Sequence, residues 1–511
     1  MKRLALPLIA AALLAAGCAT TTSPPGGASA SASSARVDQD ALWLDRLSWG
    51  ASSSSLAELR RMGRKTWLDT QLNGRAPLPT ELQAQIAALS ISQRDLPSLV
   101  YEMEAQRKSA DASKDDAAKA AAQQAYQQTL NRLSREAASR ALLLAAYSPN
   151  QMREQLTWFW FNHFNVHQYK HNLRAMVGDY EQGLREHALG RFRDLLGYTA
   201  HHPAMLRYLD NEQNAAGRIN ENYARELLEL HTLGVDAGYT QRDVQELARV
   251  LTGLGVNLSG TEPKLKPAQQ AQYQRRGLME FNPARHDFGD KQLLGMEVKG
   301  RGLAELDQVL DTLARHPATA RFVSRKLAQA FVADMPPPAL VERMAQRWQQ
   351  SDGRISEVMR ALIQSPEFEA SLSRKFKDPA HYVVSAVRLA YDTKQVLNTG
   401  PMIGWLYRLG QAPYNRQTPD GYALDESAWA GPGQLNTRFE IARAIGSGSA
   451  GLFRVEGEKT DRPAFPQLAN PLYYEGIAPR LASATRQTLD QASSPQEWAT
   501  FLLASPEFMH R

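Results

Sequence analysis

Asn220-Glu221-Asn222-Tyr223-Ala224-Arg225-Glu226-Leu227-Leu228-Glu229-Leu230-His231-Thr232-Leu233-Gly234 reads as one helix with both ends written in. Asn220 is suited to accept a bond from an orphan amide at the start. Gly234 is suited to the left-handed conformation that closes the end. At helical spacing Tyr223, Leu227, Leu230 and Gly234 share one face, and Asn222, Glu226 and Glu229 share another. The apolar face requires a packing partner. The other holds two carboxylates and an amide with no Lys, unlike an ordinary solvated face. If that face is enclosed, each carboxylate needs a partner, and Arg225 and His163 are the candidates.

Outward from this helix, helical periods and caps cover most of the chain, and no run of regular strands appears. The expected fold is therefore all-α, a multi-helix globular array with long loops and at most a minor β-hairpin within 280–295. At 511 residues the chain is long for one core. The expected divisions are a leader at 1–18, a Ser/Ala/Gly/Pro-rich tether at 19–38, and a helical unit at 39–257 holding the central helix. A surface excursion at 258–300 follows, then helical units at 301–376 and 377–511. The last of these contains a long Pro/Gly/aromatic loop from Gln411 to Gly433. Lys108 to Ala125 reads as either a solvated helical extension or a mobile loop. Ser-Pro-Glu-Phe occurs at Ser365–Phe368 and again at Ser505–Phe508, each time after an apolar helix, and reads as one helix-ending turn used twice.

Charge and leader sequence bound the partners. The net charge of +6 is small for this length and no Lys/Arg run stands out, so nucleic acid has no support as a partner. Lys2 and Arg3 precede an apolar stretch, Leu4 to Ala16, too short to span a bilayer. Ala15-Ala16-Gly17-Cys18 then resembles a bacterial lipoprotein cleavage box. Cys18 is thus the expected lipidation site and the membrane the expected partner through that anchor. Ala19 rather than Asp after the Cys favours the outer membrane of the cell envelope. Cys18 is the only Cys, so no disulfide forms within the chain.

Leu156-Thr157-Trp158-Phe159-Trp160-Phe161-Asn162-His163-Phe164 lies in a helix expected over Gln151–Val166, buried on most sides. His163 inside that run needs a named partner. His163, His167 and His171 fall on one stripe if the helix continues, the i, i+4 spacing of zinc ligands. The polar residues around His167 and His171 favour a solvated helix end instead. The candidate catalytic residues are His163, Glu226, Glu229 and Asn222. The candidate metal ligands are His163 and His286, and no cofactor is assigned. An ion network of Glu and Arg accounts for the same carboxylates, and a hydrogen-bonded core imidazole for His163. The chain carries no G-x-S-x-G, P-loop, H-E-x-x-H or C-x-x-C-H motif.

Several stretches together resemble the domain of unknown function 1800 family of exported bacterial proteins. They are Arg46-Leu47-Ser48-Trp49-Gly50, Trp160–Phe164, Arg185–Gly190, Asn220–Gly234, His286 with Lys291–Gly295, His316–Phe322 and Pro419–Trp429. The family's usual Trp after Thr252-Gly253 is Leu254 here. The resemblance implies an exported, mostly helical protein that accompanies an exported sulfatase-like protein, and it implies no agreed activity. Two function classes follow. One is a lipid-anchored accessory or binding partner of a sulfatase-like or polymer-processing system. The other is a hydrolase or metal-assisted enzyme built on the His/Glu cluster.

Overall fold

Helices begin where the sequence supplies caps. In the computed structural model, which describes residues 39–455 and 463–511, Ser52 and Ser55 bond reciprocally to open Ser53–Met62. Asp95 and Asp115 accept the amides of Ser98 and Ala118, both at 2.7 Å. Thr240 and Asp243 form a second reciprocal box at Gln241–Val250. His202 and His316 each place Nδ1 3.1 Å from an amide two residues on, with Pro at the first helical position. The leader, Cys18 and the tether at 19–38 lie outside the described residues.

The described residues are 61% helix and 5% strand, an all-α fold. Lys108–Ala125 is helical on either side of a break at Ser113. Leu96–Ala112 ends there, and Asp116–Tyr147 runs 32 residues along it. The strand content exceeds one hairpin. Leu254–Val256, Met279–Phe281 and Gln274–Arg276 form an antiparallel sheet in that order, with Phe281 opposite both Leu254 and Gln274. Lys291–Leu293 and Met296–Val298 form the hairpin, turning at Leu294 and Gly295, both at positive φ. The repeated Ser-Pro-Glu-Phe is a cap rather than an ending. Ser365 Oγ accepts the Phe368 amide at 3.1 Å and opens Pro366–Ser371, and Ser505 accepts that of Phe508 at 3.2 Å.

One contiguous apolar cluster extends from Ala41 to Phe508 and includes Leu44, Trp160, Leu310 and Leu389. Arg46 closes it. Its fully buried guanidinium donates to Phe331 O at 2.7 Å, to Ser371 Oγ and O at 2.9 and 2.7 Å, and to Arg511 O. A cation at the C-terminal carbonyls of Pro317–Phe331 also complements the helix dipole. No described helix is long and apolar enough to cross a membrane.

Candidate functional site

The central helix is not uniform. Asn222–Glu226 is α-helical, and Leu227–Thr232 widens into a π turn. Thr232 Oγ1 donates to Leu227 O at 2.6 Å, and the Leu233 amide to Leu228 O at 2.9 Å, both five residues back. The wider turn moves the buried stripe. It runs Tyr223/Ala224, Leu227/Leu228, His231/Thr232, a repeat of four that leaves Leu230 half-buried and His231 in the core. Asn220 accepts the Asn222 amide at 3.0 Å. Gly234 ends the helix at φ +87, where a Cβ would lie 2.8 Å from the Phe322 ring.

The aromatic helix stops at His163 rather than Val166, which breaks the stripe of three His. His163 is enclosed by the rings of Phe164, Trp160 and Phe322 at 4.5, 5.7 and 6.3 Å. Its Nε2 lies 3.0 Å from His231 O. A carbonyl only accepts, so Nε2 carries the hydrogen and Nδ1 is a bare lone pair, left without a partner. Burial holds His163 well below its ordinary pKa and takes His231 down to about 3, with the Lys326 charge adding to both.

The carboxylates turn away from this cage. Arg225 bonds Glu221 and Glu229 at 3.1 and 3.4 Å, four residues either side. Asn222 is exposed and donates to Leu209 O at 3.1 Å. Glu226 is half-buried, and neither Arg225 nor His163 hydrogen-bonds it. Burial, with Glu229 and Asp420, raises its carboxyl against the pull of Arg225. His163 and the Glu226/Glu229 face thus belong to opposite sides of one helix.

The long loop is strapped to the aromatic helix by side-chain amides. Asn162 exchanges two bonds with the Tyr422 backbone, at 2.9 and 2.6 Å, as a strand would. Asn165 donates to Arg416 O and Thr418 O at 3.0 and 2.8 Å, and Gln168 to Pro413 O at 3.2 Å. At Gly421, φ +79, a Cβ would fall 2.1 Å from Asn162 O, so only Gly allows the contact. Four motif-bearing stretches therefore meet at one place: the aromatic helix, the central helix, the helix after His316 and the Pro419–Tyr422 loop.

His286 sits elsewhere. Its Nδ1 faces Thr252 O at 2.7 Å and its Nε2 faces Glu305 Oε1 at 3.0 Å, so both nitrogens are committed. Lys291 pairs with the other Glu305 oxygen at 2.5 Å, with all three side chains fully buried. Burial raises the Glu305 carboxyl, but the bonds from His286 and Lys291 outweigh it and hold it low. This triad fastens the hairpin to the helix Ala304–Arg315. Among the described residues no group of three or more His, Cys, Asp or Glu is arranged to hold a metal ion.

An open cleft with aromatic, charged and apolar lining lies apart from both. A cleft of about 750 Å³ separates the helix Phe192–His201 from the Gly277-Leu278 turn of the small sheet. Tyr198 forms one wall. Its hydroxyl donates to Asp179 O at 3.1 Å, and its half-buried ring stacks on Tyr180 at 6.1 Å and packs over Gly183, so only part of the ring lines the cleft. His201 donates Nδ1–H to Gly197 O at 2.7 Å and keeps Nε2 as an acceptor. His202 has no free nitrogen: Nδ1 caps Ala204 and Nε2 donates to Asp179 at 3.1 Å. Arg276, exposed, supplies a donor from the far wall, and His187 stands 5.5 Å from the Tyr198 ring. Asp95, Asp179, Asp194 and Asp307 line the cleft against Arg193 and Arg276. No sequence signal pointed to this cleft, because its residues come from four separated stretches.

No curated protein and no solved structure matches the chain. The family described as "Protein of unknown function (DUF1800)" matches residues 42–510, nearly all that the structure describes. The chain belongs to that family.

Proposed function

We propose that this is a lipid-anchored protein of the cell envelope that binds a neutral, hydroxyl-rich chain beside an exported sulfatase-like or polymer-processing system. The observation that carries the reading is the cleft between Phe192–His201 and the Arg276–Met279 turn. The part of the Tyr198 ring that lines the cleft, acceptors on His201 and Asp194 and a donor on Arg276 suit a saccharide: apolar surface to pack on and paired groups for its hydroxyls. Four carboxylates against two guanidiniums disfavour sulfate esters. Such a cleft suits a chain whose sulfates have already been removed. Calorimetric titration of neutral and sulfated hexasaccharides of one backbone tests this. Saturable binding of the neutral form, about 10-fold weaker for the sulfated one, is expected. The double variant Arg276→Ala/His187→Ala weakens the neutral form about 10-fold, about 1.4 kcal/mol. Absence of saturable binding to neutral chains overturns the reading.

A second reading, a hydrolase centred on the central helix, draws on the raised Glu226 carboxyl, the property of a general acid. Under it, Glu226→Gln abolishes hydrolysis of a polymer substrate while the melting temperature stays unchanged. Retained hydrolysis in that variant rejects it.

A further inference from the structure

A second pocket, of about 400 Å³, lies where the helices Asp116–Tyr147 and Val177–His187 meet the stretch from Leu78 to Leu99. That volume is in the range of small-molecule sites. Part of its wall is apolar, from Leu78, Ile86, Leu99, Leu133 and Leu144. Leu78 and Ile86 stay half-buried, so the chain leaves some of this apolar surface uncovered. The rest of the wall carries five guanidiniums, from Arg94, Arg140, Arg153, Arg174 and Arg185, against one carboxylate, Asp179.

Three of the five have a carboxylate at hand. Arg185 bonds Glu154 at 2.8 Å and lies 3.3 Å from Glu181. Arg94 pairs with Glu102, and Arg153 Nε stands 3.7 Å from Glu154. Asp179 is committed to His202 Nε2 at 3.1 Å. Among the described residues, Arg140 and Arg174 form no ion pair. Arg140 is 7% exposed, donates to Gly178 O and leaves its buried Nε without a partner. Arg174, also 7% exposed, donates to Asn131 Oδ1 and Gln127 Oε1, both at 2.6 Å, and its Nε is likewise unpartnered. A guanidinium keeps its proton throughout the physiological range, so it cannot escape burial by becoming neutral. Two buried cations bonded only to neutral oxygens lack the anion that ordinarily compensates them. A carboxylate suits the guanidinium fork, and the apolar wall beside it suits a hydrocarbon tail.

We propose that this pocket binds a single-chain amphiphile with an anionic head, a fatty-acid carboxylate. Its head sits on Arg140 and Arg174, and its tail runs along Leu78, Ile86 and Leu144. Leu96 and Asp179 border both this pocket and the saccharide cleft, but none of the five guanidiniums lines the cleft. Failure here therefore leaves the saccharide reading standing.

The test is equilibrium dialysis of the full chain in dodecyl maltoside micelles at pH 8 against radiolabelled decanoate, with protein-free micelles as the blank. Decanoate is expected to bind saturably above the blank, at one molecule per chain. Decanol has the same tail without the charge and is expected to bind about 10-fold more weakly. Equimolar acetate, a head without the tail, is expected not to displace decanoate. Arg140→Gln removes a charge that has no ion-pair partner and is expected to weaken decanoate about 10-fold while leaving decanol unchanged. The comparison of decanoate with decanol uses the parent chain, so it decides the matter even where the variant fails to fold. Absence of saturable decanoate binding, equal binding of decanol, displacement by equimolar acetate, or parental decanoate affinity in Arg140→Gln each overturns the proposal.

Discussion

A single hydrogen on His163 fixes much of the centre. It is donated from Nε2 to His231 O, and burial in a cage of aromatic carbon keeps both rings neutral. The unfolded chain binds protons on these imidazoles near pH 6.5, and the folded chain does not until far lower. Their stability contribution is therefore complete above pH 6.5 and is lost as the pH falls. Each ring removes about 1.4 kcal/mol per pH unit below that point, until its folded pKa is reached. His163→Phe keeps a ring in the cage and deletes one titration. Urea midpoints at pH 6 and pH 5 are expected to show a slope about 1.4 kcal/mol per unit shallower than in the parent. An identical slope in both proteins contradicts the buried neutral assignment.

Among elements, the strapped loop shows what the aromatic run is for. Asn162, Asn165 and Gln168 each spend their amides on the backbone of residues 413–422, and Tyr208 adds a 2.7 Å bond to Gln417 O. Asn162→Ala leaves the Tyr422 amide and carbonyl without these partners, at a cost of about 2–3 kcal/mol. Limited proteolysis of that variant is expected to cut within 413–424 well before the parent is cut. Equal cleavage rates would mean that the loop is held by something other than these amides.

The helix ends at Asn220 and Gly234 were legible because a cap is a local event, decided by one side chain and one backbone angle. The π turn between them was not. One extra residue per turn leaves composition unchanged, yet it turned the stripe expected at Tyr223, Leu227, Leu230 and Gly234 into pairs spaced by four. It carried His231 inward and left the carboxylates outside. Asn162 is a polar residue in the same apolar run as His163, but only His163 is singled out there. The partner of Asn162, the Tyr422 backbone, lies 260 residues away and left no local trace. The strands around the cleft are three residues each, too short for a period of two to register.

At the scale of the whole molecule, Arg46 ties its N-terminal stretch to the end of Pro317–Phe331, to Ser371 and to Arg511, so distant stretches share one core. The proposed attachment to the envelope rests on a different part of the chain. The basic, apolar and small-residue order ending at Cys18 predicts a lipid anchor, and Cys18→Ser is expected to move the protein from the membrane to the soluble periplasmic fraction. Unchanged membrane fractionation of that variant rejects lipidation.

The central claim is that ligand binds in the cleft and not at the motif-dense centre. Hydrogen exchange of the full chain, with and without a saturating neutral hexasaccharide, locates the ligand directly. Slowed exchange confined to residues 187–201 and 274–281 is the predicted result. Slowed exchange across Asn220–Gly234 and the Pro419–Tyr422 loop, with the cleft unaffected, would contradict it.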